Sequence, residues 1–459
     1  MVGAFAADVQ SASLLTPFGI YKPDRLKKLF GKVPRQSAIS WMMALGNMSK
    51  RTTHNWKYEF FEEGQWYNAS AVIASAGANG TTATNVDIVI AAADHTNSGK
   101  NSYARVNDTV VFSDEKTGMI IAIDKTTDSA HIYTIQGYDG TDINPAATAT
   151  ETFVIFSTAH SEDSSAPDTR VPEVTREENT IQTFRESFKV TDEEEKTQTW
   201  FEVDGKPYMY VKGTMEAAER FEQQIESACL VGQSFTGMTD PNTGYDVKTT
   251  EGLIPTIRSR GTTVTYDKGT LTPTLDNFET IILAIEANYG PKDYIVGQGL
   301  DLDLKMNRML VDFATGNTGQ INFSPMGGRE QALSLNFKWL NYSGRQFWFQ
   351  RWDILSHEDS FGAAGLGYRK MGMYIPLGKT KNPSTQNGTK NFEDYMQMVY
   401  VPPSGSSSEV RGTYKIWETG ANAMSGATND KLRREIHHAA YCGFEMRNKE
   451  KFLIFEPAP

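Results

Sequence analysis

The chain has 459 residues, 39% of them hydrophobic, and carries 45 Lys and Arg against 56 Asp and Glu for a net charge of -11. Such a length and composition specify a globular protein with core enough for roughly two to four domains. The acidic balance excludes a protein whose main task is gripping nucleic-acid phosphates, since that affinity comes from clustered Lys and Arg.

From the start, Met1-Val2-Gly3-Ala4-Phe5-Ala6-Ala7 imitates a small-residue cleavage site but lacks a basic flank and a full apolar stretch, so residues 1–50 read as an arm. The arm has a basic cluster from Lys22 to Lys32 and an apolar patch, Trp41-Met42-Met43-Ala44-Leu45, and is expected to dock on a partner. Next comes Thr52-Thr53-His54-Asn55-Trp56-Lys57-Tyr58-Glu59-Phe60, where His54, Trp56, Tyr58 and Phe60 alternate with polar residues in the period of a strand. Residues from about 66 to 165 are rich in Ala, Gly, Ser, Thr and Asn, with β-like runs at 86–92, 109–112, 119–123, 131–135 and 153–156. Short strands at that spacing predict a small antiparallel barrel or sandwich. A second leg runs from Glu173 to Val190, with Phe184, Phe188 and Val190 alternating against Arg185, Ser187 and Lys189. The two legs read as one long ribbon. A ribbon of two strands is marginal in water, so its aromatic face needs support, expected from a neighbouring copy of the chain.

Beyond the legs, Asp192-Glu193-Glu194-Glu195 reads as a solvated turn. A helix is predicted over 214–231, with Thr214 as N-cap, an apolar stripe of Ala218, Phe221, Ile225 and Cys229, and Gly232 as its stop. A second helix spans 275–288 with Phe278, Ile281, Ile282 and Ile285 inward, and a third covers 302–313. Strands are predicted at 294–296, 332–340, 346–355, 372–375 and 396–401, with a closing hairpin of 437–446 and 451–455. The class is α+β, rich in β-structure.

Little chemistry competes for attention. Gly297-Gln298-Gly299 begins like a dinucleotide fingerprint, but its third glycine position is Leu302 and no parallel βαβ array surrounds it. The glycines of 362–367 stand in the wrong order for a phosphate loop. His437 and His438 are strand neighbours whose rings point to opposite faces, so they cannot share a metal. Asp301 and Asp303 read as helix-start acids, Asp139 and Asp142 as turn acids. Phe347-Trp348-Phe349-Gln350-Arg351-Trp352 could stack bases, yet without a basic surround it reads as a strand buried on both faces or at an interface. Cys229 and Cys442 form neither a metal spacing nor a disulfide framework and are expected as buried reduced thiols. No run of about eighteen apolar residues is present to span a bilayer.

The two legs and the long helix after them resemble the major capsid proteins of tailed bacteriophages with the Hong Kong 97-type fold. Thr52-Thr53-His54-Asn55-Trp56 is similar to the ascending strand of that family's extended loop. Glu173-Val174-Thr175-Arg176-Glu177-Glu178-Asn179-Thr180-Ile181-Gln182-Thr183-Phe184 resembles the descending one, with its Arg and its Asn-Thr-x-Gln-x-Phe pattern, and the helix 214–231 sits where the family places its spine helix. The size and the insert are similar to those of crAss-like phages.

The resemblance implies an N-terminal arm (1–50), an extended loop (51–192) carrying the inserted β-domain, a peripheral domain with the spine helix (193–275), an axial domain (276–394), and a return to the peripheral domain (395–459). It implies a shell protein that self-assembles as hexamers and pentamers around double-stranded DNA without sequence-specific binding. Trp56, Tyr58, Phe60, Arg176, Phe184 and Phe188 would meet a neighbouring subunit, and Phe221, Ile225 and Cys229 would form the inner stripe of the spine helix. Portal, head-completion or decoration proteins and a separate scaffold are the implied partners, with no membrane, cofactor, metal or catalysis. Two other readings share part of the pattern. A protein nanocompartment has the same fold with a compact loop; a β-rich glycan-binding or fibre virion protein would suit the Ser/Thr/Asn-rich insert but not the long helix.

Overall fold

The computed structural model describes residues 48–63, 71–77, 85–91, 104–112, 115–124, 130–138, 152–167, 174–196, 202–203, 206–267, 273–315, 339–363, 366–382, 391–402, 410–411, 414–421, 423 and 426–458. The arm up to residue 47, the acids Asp139 and Asp142, and most of the predicted strand 332–340 lie outside them. The chain divides into two compact units, one formed by the residues up to Tyr58 and from Asn179 onward, the other by Glu59–Glu178.

The first leg is two strands rather than one. β1 (Met48–Thr52) ends at a bend over 53–56, and β2 (Lys57–Glu63) comes after it. A bend restarts the alternation of side chains, which is why Trp56 is 41% exposed while Tyr58 is buried.

In the second unit, β3 (Ala71–Gly77), β4 (Asn85–Ala91), β5 (Asp108–Phe112), β6 (Thr117–Asp124), β7 (Ala130–Gly137) and β8 (Thr152–Thr158) close into a barrel. Their order is β3-β4-β7-β6-β5-β8, with every pairing antiparallel. Alternate residues fill it: Val86 and Ile88, Val110 and Phe112, Ile120, Tyr133 and Ile135, and Phe153. A period of two gives a closed sheet one dry face and one wet face.

The second leg is also divided. β9 (Val174–Thr180) pairs with β2, and after Ile181 the chain enters β10 (Gln182–Thr191), which belongs to another sheet. The acidic run is a short helix, Asp192–Lys196, not a bare turn: Thr191 and Glu194 cap each other through the Thr191 hydroxyl and amide and the Glu194 carboxylate.

α1 (Tyr208–Val231) starts before Thr214, so Thr214 is inside the helix and not its cap. Ala217, Phe221, Ile225, Cys229 and Leu230 form its buried stripe. The hairpin β11 (Phe235–Thr239) and β12 (Asp246–Thr249) comes next, then α2 (Leu253–Arg260) and β13 (Thr262–Tyr266). α3 (Leu275–Ala287) opens with Thr274 and Asn277 capping each other and buries Phe278, Ile281, Ile282 and Ile285 as its spacing requires. β14 (Asp293–Gln298) leads into α4 (Leu300–Thr315), whose first turn holds Asp301 and Asp303. The strands β15 (Trp339–Tyr342), β16 (Arg345–Arg351), β17 (Gly372–Pro376), β18 (Met396–Tyr400), β19 (Tyr414–Gly420), β20 (Arg433–Met446) and β21 (Leu453–Pro457) complete the unit.

Two sheets organise this unit. In the first, β1-β18-β20-β19 run in order, and β10 pairs with the opposite edge of β20. The second has the order β13-β21-β17-β14-β16-β15. The expected closing hairpin is therefore absent: β20 and β21 lie in different sheets, separated by Asn448 in the left-handed region (φ 50) and a short helical turn. Both faces of the second sheet are dry at its centre. Tyr374, Leu453 and Phe455 pack with α3, whereas Met373, Ile375 and Ile454 join the core that contains Phe221 and Ile225 of α1.

The aromatic run of β16 obeys the same alternation. Phe347 and Phe349 are in the α3 core, but Trp348 is 46% exposed, so the strand is not dry on both faces. Gly297 serves packing and not a pyrophosphate, since a Cβ there would come within 2.5 Å of the Trp352 ring. Among the described residues no helix is long and apolar enough to cross a membrane.

Candidate interaction surfaces

The residues of the Asn-Thr-x-Gln-x-Phe pattern meet at the root of the extended loop. β20 is longer than its partner β10: the ladder runs from Thr191↔Arg433 to Gln182↔Cys442 and stops there. Past that point the edge of β20 needs other partners for its backbone, because an unpaired buried amide or carbonyl costs as much as a lost hydrogen bond. The loop root provides them. The Phe444 carbonyl accepts from the Tyr58 hydroxyl (2.7 Å) and from Asn179 Nδ2 (2.7 Å), and the Phe444 amide donates to Thr250 Oγ1 (3.2 Å).

Asn179 also holds residue 251. Its Nδ2 donates to the Glu251 carbonyl (3.1 Å), while its Oδ1 accepts from the Glu251 amide (3.0 Å) and the Thr180 amide (2.8 Å). The Thr180 hydroxyl donates to the Thr249 carbonyl, and the Thr250 amide donates to Gln182 Oε1 (3.2 Å). Between them Ile181 is fully buried with Tyr58 and Val399, and its amide donates to the Trp56 carbonyl (2.8 Å), tying one leg to the other. Gly443 allows the approach: a Cβ there would sit 2.9 Å from the Thr180 carbonyl and 3.0 Å from the Tyr58 hydroxyl.

A buried charge cluster secures β1 beside this root. The Glu445 side chain is fully buried and pairs with Arg51 (3.0 Å) and Arg447 (2.6 Å); Arg447 also reaches Glu393 and Gln397 (3.2 Å). Arg51 lies over the Tyr58 ring at 5.9 Å. Burial, with the Glu445 charge next, raises the Tyr58 phenol well above its ordinary value, so it stays a neutral donor.

The six residues expected to meet a neighbour therefore have different fates. Tyr58 and Phe184 are buried in their own chain, and Phe188 lies on Gly213 of α1, so these three support the fold and do not form an outward aromatic face. The reason is the division of both legs, which sends Phe184 and Phe188 into the first sheet. Trp56 leans edge-on against Tyr441 (5.2 Å, 84°) and stays partly exposed. In the other unit Phe60 is half-buried, and Arg176 is exposed between Glu59 (3.8 Å) and Glu178 (3.7 Å). Phe61, 68% exposed, is an outward aromatic that the alternation pattern passes over. Phe221, Ile225 and Cys229 lie in the buried core cluster.

His438 packs near Phe221 (5.6 Å) and His437 stacks on Trp417 (5.2 Å) across the sheet, so the rings do point opposite ways. Among the described residues no group of three or more His, Cys, Asp or Glu is placed to hold a metal. Cys229 and Cys442 are free and buried; burial pushes the Cys229 thiol up to about 12. A groove of about 590 Å³ beside β10 and α1 is lined by Gln182, Phe184, Arg185, Arg220, Gln224 and Asp359.

Residues 35–301 match a family model described as SU10 major capsid protein. No curated protein matches the chain. Among solved structures, a chain of Gordonia phage Cozz is 10% identical with a TM-score of 0.42, covering 98% of this chain and 95% of that one. The capsid of cyanophage P-SCSP1u is 13% identical with a TM-score of 0.34, over 66% of this chain and 80% of that one. The SrpI encapsulin complex of Synechococcus elongatus is 9% identical with a TM-score of 0.35, over 62% and 77%. Scores this low carry no argument, and the family rests on the matched segment.

Proposed function

This chain belongs to the SU10 major capsid protein family, and from that premise we propose how its parts serve a shell. It is a capsid shell protein of a tailed phage, and its role is structural, not catalytic. Copies assemble as hexamers and pentamers into an icosahedral head that encloses double-stranded DNA. The extended loop, residues 51–192, laps a neighbouring copy through Trp56, Phe60 and Arg176. α1 and the first sheet form the peripheral domain, residues 276–394 supply the axial domain, and 395–459 return to the periphery. Portal, head-completion or decoration proteins and a separate scaffold are its partners in the virion.

The family match over 35–301 carries this reading, and the loop root supports it. Tyr58, Asn179 and Thr180, where the chain leaves for the loop and returns from it, are each hydrogen-bonded to the body of their own unit.

Negative-stain microscopy of the expressed protein tests it. Closed shells of uniform diameter are expected, and a monomer or fibre at every concentration and ionic strength would overturn the reading. In particles purified from phage lysate, the chain should co-fractionate with nuclease-protected double-stranded DNA. Shells filled with protein cargo and free of DNA would favour a nanocompartment instead.

A further inference from the structure

We propose that the hairpin β11–β12 is a docking element that lays an apolar face on a second copy of this chain. The inference goes beyond the loop and rests on the shell reading. Its residues Phe235, Met238 and Tyr245 are 53%, 59% and 78% exposed. The register explains why they share a face. Phe235 pairs with Thr249 and Met238 with Val247, so these share one side, and the bond from the Asp240 amide to the Tyr245 carbonyl carries the alternation one residue past β12 to Tyr245. Three positions separate Phe235 from Met238, which would put them on opposite faces of a regular strand. The register shift between Thr236 and Met238 corrects this, and Gly237 takes it at φ 110 with open space around it. Thr236 and Lys248 occupy the other, polar face.

Both ends of the hairpin are fixed. At the base, Thr249 Oγ1 accepts from the Phe235 amide (2.9 Å) and donates to the Gln233 carbonyl (2.6 Å), while the Thr249 carbonyl accepts from Thr180 of the loop root. At the tip, Asp240 accepts from the Asn242 amide (2.8 Å) and the Thr243 hydroxyl (2.9 Å), and its own amide donates to the Tyr245 carbonyl (2.9 Å). The face is therefore preorganised, and an isolated two-stranded hairpin that exposes such a face is marginal in water.

The size of the face selects the occupant. Two aromatic rings and a methionine bury about 400–600 Å², below the ~800 Å² per partner of a stable binary complex. A separate soluble partner would gain too little from it. A second copy in a closed shell gains enough, because each copy makes several contacts at once and they act together. The contact should therefore exist in shells and not in the dilute chain.

Full-length protein with Met238→p-benzoylphenylalanine, irradiated after assembly, should give a covalent dimer of the chain, and the same protein irradiated dilute and unassembled should give none. The variant Phe235→Asp/Met238→Asp should keep the circular dichroism of the parent and raise the critical concentration for assembly at least about tenfold, the scale of one interface hot spot. Shells that yield no interchain crosslink, or a double-Asp variant that assembles at the parent's concentration, overturn the docking proposal alone. Failure of the unmodified chain to form shells under any condition overturns the shell reading and the proposal with it.

Discussion

Asn179 and Phe444, 265 positions apart, are joined by a 2.7 Å hydrogen bond from the Asn179 amide group to the Phe444 carbonyl. Removing it also deprives the Glu251 amide of its acceptor and the Glu251 carbonyl of a donor. Asn179→Ala should therefore cost about 2–3 kcal/mol, the desolvation penalty of buried groups left unpaired. Denaturant unfolding of the soluble chain measures it; a loss within error of zero would show that water replaces the side chain without penalty.

Glu445→Gln is expected to be destabilising as well. The substitution removes the fully buried carboxylate that Arg447 and Arg51 share, although Arg447 keeps Glu393 and Arg51 stays partly exposed. Breaking a fully buried pair from one side costs about 3 kcal/mol, and the exposure of Arg51 brings the expected loss below that, to about 1–2 kcal/mol. The unfolding midpoint reports this, and a double-mutant cycle with Arg51→Ala should show strong coupling between the two positions.

Trp56→Asp separates folding from assembly. The Trp56 ring leans edge-on against Tyr441 and is 41% exposed, so the protein should keep its circular dichroism while shells fail to form. Normal heads from this variant would remove Trp56 from the proposed contact.

Acidification should weaken the fold through His437. Burial lowers its imidazole below the ordinary 6.5, helped by Arg185 and Lys189 across the ladder and opposed by Glu435. The folded state thus prefers the neutral ring, so this contribution is present above the unfolded value and is lost as pH falls from about 6.5 through the lowered value. Stability measured from pH 7.5 to 5 should fall less steeply in His437→Gln than in the parent, and identical slopes would assign the loss to other groups.

The two thiols should be silent in the native protein. Cys229 is pushed up to about 12 and Cys442 well above its ordinary value, each by burial first. A disulfide-exchange reagent at pH 8 should modify neither until denaturant is added.

Much of this fold is legible from periodicity. The stripe of α3, Phe221, Ile225 and Cys229 on the inner side of α1, and five of the barrel strands emerge from spacing alone, while Ala217 and not the expected Ala218 is the alanine that α1 buries. β3 stays hidden because Ala71–Gly77 is as rich in small residues as the loops around it. The loop root is only half legible. The pattern from Asn179 to Phe184 is visible, but its partners at Thr249, Thr250, Glu251 and Phe444 are remote in sequence, and no local signal announces them. The same limit explains the legs. Alternation assigns Tyr58 and Phe184 correctly to apolar faces, but it cannot say which apolar face belongs to the subunit and which to a neighbour. The closing strands show a third form of it: two adjacent β-runs look like a hairpin until Asn448 turns the second into another sheet.

The closure of the inserted barrel has a bearing on crowding. A shell displays its subunits at near-crystalline density, and any open row of backbone amides repeated on every copy would invite its neighbours to zip together into ribbons. With β8 joined back to β3, the six described strands of the barrel have no free edge strand. Substitutions on the wet face of the barrel can thus accumulate residue by residue without opening a strand edge to another copy.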